Sequence, residues 1–211
     1  MRKEVGKPIK HNCLKNRFKM PDEGWALDWS PHNKGRLAVG HNKGGLMLIN
    51  FNGSDFELEW DKEIKAHTSS LEDIQWSPTK ADLIATCSSD RTIKLWDLKN
   101  KKAIASWEAH DSDVNVLSWN PCVSYLLASG SDSGNFRVWD LRQVKGGEPT
   151  PITDIQWHAK PITSIQFQPR EECVLAVSSD DHKLTLWDFG VEPDKNTPDE
   201  SGLPPQLMFL H

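Results

Sequence analysis

"TIKLWDLKN" (residues 92–100) carries the pattern from which the architecture follows. A short run of β-branched and apolar residues ends in a Trp-Asp pair and passes into a Lys-Asn turn. The pair returns in "FRVWDLRQ" (136–143) and "LTLWDFG" (184–190), placing Trp96, Trp139 and Trp187 at intervals of 43 and 48 residues. A period in this range marks a repeat architecture before it marks any chemistry. Upstream stand four aromatic-x-Pro turns: "WSP" (29–31), "WSP" (76–78), "WNP" (119–121) and "FQP" (167–169). Each aromatic is followed, 20 residues later, by one fixed slot, filled by Ile49, Trp96, Trp139 and Trp187. Four copies held at one offset are four structural units.

Within the second copy, "SLEDIQW" (70–76), "DLIATCS" (82–88), "TIKLWDL" (92–98) and "AIASWE" (103–108) are strand-length runs separated by Pro, Asp or Lys-Asn turns. "FELEW" (56–60) alternates apolar and acidic residues, as a half-buried strand does, and is expected to be the fourth strand of the first copy. No long segment carries a helical period, so the class is all-β. Four strands per roughly 45 residues is one blade of a β-propeller, whose neighbouring blades bury each other's faces. The repeats span about 21–63, 64–108, 109–156 and 157–211, after an N-terminal arm at 1–20.

The pattern resembles the WD-repeat family, in which each blade opens on Gly-His or Ala-His and closes on Trp-Asp. That resemblance implies a buried chain of hydrogen bonds in each blade, from a turn Asp through the leading His and a strand hydroxyl to the Trp indole. Carried over by position, the second copy is complete in His67, Thr86, Asp90 and Trp96. His67, His110 and His158 each precede their Trp by 29 residues. The third copy keeps His110, Ser129 and Trp139, with Ser133 in the Asp slot and Asp132 one residue early. The fourth keeps His158, Asp181 and Trp187, but Val177 stands where the hydroxyl is expected. The first has Lys43 in the Asp slot, Ile49-Asn50 for Trp-Asp and Met20 in the His slot, and reads as a degenerate blade. On this reading the second blade is the most rigid, because a partly satisfied polar network contributes less.

Composition fits an interaction module. The 211 residues are 37% hydrophobic, and no run reaches the roughly 20 apolar residues of a membrane span. Of 25 Lys+Arg and 30 Asp+Glu, seven basic residues and one acid fall in the first 20 residues, which leaves 18 against 29 in the remainder. An acidic body argues against nucleic-acid binding by the propeller and suits a basic protein partner. The scattered charges of the arm read as a mobile, solvated terminus. Cys13, Cys87, Cys122 and Cys173 form no CxxC and have no His at ligand spacing, so no metal site is expected. His, Asp and Ser or Thr recurring at one spacing in successive repeats serve packing, whereas a catalytic triad is needed once. The acidic pairs Glu171-Glu172 and Asp180-Asp181 fall in turns. With no nucleophile elbow, P-loop or GxGxxG, neither enzymatic activity nor a cofactor is expected.

Longer stretches narrow the resemblance. "DEGWALDWSP" (22–31), "AHTSSLEDIQWSPT" (66–79), "AHDSDVNVLSWN" (109–120) and "PPQLMFLH" (204–211) are similar to the glutamate-rich WD-repeat proteins of ribosome assembly. That resemblance implies a nuclear and nucleolar escort of a newly made, basic ribosomal protein, a role also open in the cytoplasm. The sister family of histone-binding WD-repeat proteins is the alternative, and the acidic stretch that names the first family has no counterpart before Trp25. "WDLR" (139–142) resembles a motif that docks WD-repeat proteins onto a cullin ubiquitin-ligase adaptor, with Arg142 as the contact. The Pro-rich acidic insertion "FGVEPDKNTPDESGLPPQ" (189–206) is the expected client surface. In it Glu192, Asp194, Asp199 and Glu200 would steer a basic segment onto a platform formed by Pro204 and Pro205. The family's usual seven blades need roughly 300 residues, so four blades are expected to form part of a seven-bladed ring, with a self-closing four-blade ring as the alternative.

Overall fold

The computed structural model describes residues 19–51, 53–59, 63–144, 149–191 and 202–211. Those residues form antiparallel sheets with no helix among them. The first sheet holds β1 (Leu27–Trp29), β2 (Leu37–Gly40), β3 (Gly45–Phe51), β4 (Phe56–Leu58) and β5 (Ile64–Lys65). The second runs in the order β6 (Leu71–Trp76), β7 (Leu83–Ser88), β8 (Thr92–Asp97) and β9 (Lys102–Glu108). The third comprises β10 (Val114–Trp119), β11 (Leu126–Ser131), β12 (Asn135–Asp140) and β13 (Thr153–Gln156). The fourth comprises β14 (Ile162–Phe167), β15 (Val174–Ser179), β16 (Leu184–Asp188) and β17 (Leu207–Leu210).

Strand alternation gives each sheet two apolar faces, and the core lies between sheets. Ala38, Leu46 and Leu48 of the first sheet pack on Ile74, Trp76, Ile84 and Trp96 of the second. Ala85, Ile93 and Leu95 of the second pack on Leu117, Trp119, Leu127 and Trp139 of the third. Ala128, Phe136 and Val138 of the third pack on Ile165, Phe167, Leu175 and Trp187 of the fourth. The fixed slot therefore holds Trp because it lies on the face covered by the preceding sheet. Side chains also reach across these junctions. Asp28 accepts the Trp76 N–H at 2.7 Å, Asp73 accepts the Leu117 N–H at 2.8 Å, and the Ser118 hydroxyl accepts the Phe167 N–H at 3.0 Å. Buried Arg36 adds a clamp between the first two sheets, pairing with Glu59 at 2.6 Å and Asp82 at 2.7 Å and lying 5.1 Å from the Trp76 ring.

The turn joining the second and third strands of every sheet places one residue in the left-handed region: Gly44 (φ 77°), Arg91 (φ 69°), Gly134 (φ 81°) and His182 (φ 67°). At Gly44 and Gly134 space forbids a side chain as well, since a Cβ would come within 2.4 Å of the His67 carbonyl oxygen and 2.2 Å of that of His158.

Two strand expectations need correction. Ile64–Lys65, placed by the repeat boundary in the second unit, pairs with β3 of the first sheet. The expected strand "FELEW" is shorter and more exposed: β4 ends at Leu58, and all three of its residues face solvent. Phe56 packs on Phe51, with ring centroids 4.9 Å apart.

Candidate functional site

The second sheet carries the full chain of hydrogen bonds. The Trp96 indole donates to Thr86 Oγ1 at 3.0 Å, Thr86 lies 2.8 Å from His67 Nε2, and His67 Nδ1 lies 3.0 Å from Asp90 Oδ2. An indole can only donate, so the Thr86 hydroxyl hydrogen is left for His67 Nε2, and the ring carries its proton on Nδ1, facing Asp90. Burial pushes the His67 pKa down, with Asp90 opposing. Burial works to raise the Asp90 carboxyl, but hydrogen bonds from His67, Thr92 and the Thr68 N–H together outweigh it and hold it below the ordinary carboxylate range. Lys94 completes the cage by donating to the Ala66 carbonyl at 2.8 Å.

The fourth sheet is as complete as the second, contrary to the expectation drawn from Val177. Thr185 supplies the hydroxyl, accepting the Trp187 indole N–H at 2.8 Å and lying 3.1 Å from His158 Nε2. Thr185 is the cross-strand partner of Val177, so the hydroxyl has moved to the next strand on the same face. His158 Nδ1 lies 3.1 Å from Asp181 Oδ2. Burial works to raise Asp181, but hydrogen bonds from His158 and the Ala159 and Lys183 N–H groups outweigh it and hold it low.

In the third sheet His110 Nε2 lies 2.7 Å from Ser129 Oγ, which accepts the Trp139 indole N–H at 2.9 Å. Ser133 holds the position of Asp90 and Asp181, but its hydroxyl meets Ser131 at 3.0 Å, while Asp132 accepts from Asn115 at 3.3 Å. A cavity of about 220 Å³ lies here, lined by His110, Asn135, Arg137 and Asp154 among others. Burial, with the Arg137 charge beside it, pushes the His110 pKa down to about 3. Buried atoms Asn135 Oδ1 and Arg137 Nε have no hydrogen-bond partner.

The first sheet departs furthest. Buried His41, which the repeat reading passed over, accepts the Lys43 N–H on Nδ1 at 3.2 Å and donates from Nε2 to Glu63 at 2.8 Å. The signal was present in Gly45: a Cβ there would come within 2.1 Å of His41 Nε2, so the ring and the glycine occupy one space.

The side chains read as partner contacts stand apart from these networks. Arg142 is 64% exposed, yet fixed: its Nε and Nη2 grip Asp140 at 2.9 and 2.6 Å, and its guanidinium lies 3.7 Å from the Tyr125 ring centroid. The Arg142 hydrogen bond holds the Asp140 carboxyl below its ordinary range. Beside it runs an apolar groove of about 310 Å³ between the second and third sheets, with Leu83, Ile104, Trp119 and Leu141 among its walls. Pro204 is half-buried and Pro205 exposed at the start of β17. Glu192, Asp194, Asp199 and Glu200 lie outside the described residues. Among the described residues no group of three or more His, Cys, Asp and Glu is placed to hold a metal ion.

Sequential four-stranded sheets, three of them threaded by a His–hydroxyl–Trp chain, define a WD-repeat β-propeller module. The family described as "Nucleolar protein 10-like, N-terminal domain", a β-propeller domain, matches residues 10–193, and the chain belongs to it. It is 41% identical over 207 residues to the ribosome assembly protein rrb1 of Schizosaccharomyces pombe, covering 93% of this chain and 42% of the relative. It is 47% identical over 205 residues to Protein HEAT STRESS TOLERANT DWD 1 of Arabidopsis thaliana, covering 90% of this chain and 43% of the relative. To histone acetyltransferase type B subunit 2 of Debaryomyces hansenii it is 27% identical over 197 residues, covering 90% of this chain and 48% of the relative. The chain thus spans less than half the length of each of these relatives.

Proposed function

We propose that this propeller module acts without chemistry of its own, in the nucleus and nucleolus, as part of a ribosome-assembly factor that escorts a basic ribosomal protein. The observation that carries the reading is the 41% identity to a ribosome assembly protein along 93% of this chain. The charge balance supports it, with an acidic body suited to a basic client. So does the use made of the His, Asp and hydroxyl side chains, which are consumed in buried hydrogen bonds. A histone is the alternative client, favoured by the similarity to a histone acetyltransferase subunit. A second surface belongs to Arg142: a guanidinium that stays exposed while clamped by Asp140 and Tyr125 is pre-oriented for a partner, which favours docking to a ubiquitin-ligase adaptor.

The test is affinity capture from nuclear extract at two salt concentrations, since steering by charge weakens with salt. Recovery of one large-subunit ribosomal protein, weakened by salt, supports the escort reading. Recovery of core histones alone overturns it in favour of the alternative. Adaptor recovery that is lost in Arg142→Ala while client recovery is kept would place the second surface.

A further inference from the structure

At the junction of the first two sheets the space over the turn aromatic is filled by charge: Arg36 lies over Trp76 and is tied to Glu59 and Asp82. The next junction repeats the frame without the filling. Leu83 is the counterpart of Arg36, since Trp29 pairs with Leu37 as Trp76 pairs with Ile84, and each of the two side chains stands one residue ahead. By the same count Tyr125, two residues before the Trp119 partner Leu127, takes the place of Asp82. Glu59 meets the Leu48 carbonyl, and at the matching level the second sheet has Ala105, with Ile104 beside it in a bulge. An ion cluster is thus exchanged for Leu83, Ile104 and Tyr125. A leucine is shorter than an arginine, so the space over Trp119 stays open as the apolar groove of about 310 Å³. Ile104 is 50% exposed at its edge and Tyr125 38%. Both walls belong to sheets that are themselves packed between two neighbours.

We propose that this groove receives an acidic segment of a partner protein, seated by an apolar anchor side chain. The anchor packs on Leu83, Ile104 and Trp119, and the carboxylates that flank it meet Lys80 and Arg142. Charge decides the class of occupant. Lys80 and Arg142 are the charged side chains that line the groove, and both are basic. The carboxylates nearby are already engaged, Asp82 by Arg36, Asp97 by Asn100 and Asp140 by Arg142. Arg142 grips Asp140 through Nε and Nη2, which leaves Nη1 to donate to a second carboxylate. A basic segment, the class suited to the acidic body as a whole, would bring like charge to these two cations. The volume stands at the lower end of the roughly 300–1,000 Å³ of ligand sites, which suits an anchor side chain and not a folded surface. The proposal does not rest on adaptor docking, because neither Ile104 nor Lys80 belongs to the clamp that Asp140 and Tyr125 form on Arg142.

Selection from a phage-displayed library of random dodecamer peptides tests this on the whole chain. The library is first depleted on the Ile104→Asp variant, which removes binders to other surfaces, and then enriched on the parent. The enriched peptides are expected to share a large apolar residue flanked by Asp or Glu. Such a peptide, made synthetically and followed by fluorescence anisotropy, should bind Ile104→Asp and Lys80→Glu at least about tenfold more weakly than the parent. Its affinity for the parent should fall as salt rises. Both substitutions alter exposed side chains, so both variants keep the parent's near-ultraviolet dichroism. No adaptor is present in this assay, so its outcome is independent of adaptor capture by the parent and Arg142→Ala. Failure to enrich any peptide, enriched peptides that are basic or uncharged, or an affinity unchanged in Lys80→Glu would each overturn the proposal.

Discussion

Thr185 tests the fourth network most directly. In Thr185→Val the side chain keeps its shape and loses its hydroxyl, so no cavity opens. What remains is the Trp187 indole N–H and His158 Nε2, both buried and both deprived of the partner they share at 2.8 and 3.1 Å. A buried polar atom left unsatisfied costs about 1–3 kcal/mol. Two such atoms bring the destabilisation to roughly 2–6 kcal/mol, and Thr185 Oγ1 also releases the Val177 carbonyl, which it meets at 3.3 Å. In a chain of this size that lowers the melting temperature by roughly 5–15 °C. The reciprocal change supplies the control. Val177 faces Thr185 across the ladder and stands where Thr86 stands in the second sheet, so Val177→Thr in the Thr185→Val background moves the hydroxyl back to the strand that carries it there. Denaturant unfolding of the parent, both single variants and the double variant gives the coupling energy. Rescue of half the loss or more is expected. A single variant that unfolds with the parent, or a double variant no more stable than Thr185→Val, would refute the assignment.

The other predictions are simpler. His67→Ala and Trp96→Phe each break the second network and are expected to cost about 1–3 kcal/mol in denaturant unfolding, with client capture unchanged in the folded variants. Gly134→Ala forces a side chain onto the His158 carbonyl at a left-handed φ, so it should destabilise by more than about 1 kcal/mol, whereas His182→Gly, in the matching turn, should be neutral or stabilising. Asp73 governs a pH dependence. Burial raises its pKa to about 7 against its bonds to the Leu117 and Ile74 N–H groups, with Asp28 adding to the rise. The unfolded chain releases this proton near pH 4, so between about 4 and 7 the folded state holds the extra proton and stability falls as pH rises, by up to roughly 4 kcal/mol. His110, held near 3 by burial, works in the opposite direction. The difference between parent and Asp73→Asn therefore isolates the carboxylate: the variant should gain relative to the parent as pH rises from 4.5 to 8, and parallel profiles would remove Asp73 from the account.

Much of this architecture is legible in the chain because its geometry is local. The interval from each turn aromatic, at the end of a sheet's first strand, to Trp96, Trp139 or Trp187 spans the second strand and most of the third, so a constant count puts each Trp on one face. The His and Asp of a network are likewise tied by fixed turns. Thr185 escaped because its relation to Val177 is one of pairing across strands, which no fixed slot within a strand records. His41 escaped because the repeat's spacing places the His ahead of the sheet, whereas this one sits inside the turn after β2 with Gly45 making room for it. The alternation of "FELEW" reads as a half-buried strand, but Phe56, Glu57 and Leu58 all face solvent, because among the described residues no sheet face lies over β4, and Trp60 lies outside the described residues.

The placement of each Trp under the preceding sheet has a consequence for how damage spreads. A junction touches only two sheets, so the chain behaves as a row of units coupled to nearest neighbours. Loosening one junction releases the indole hydrogen of the network beneath it while more distant junctions stay closed. Exchange rates of the three indole hydrogens of Trp96, Trp139 and Trp187 would therefore read out, one by one, which junction has opened.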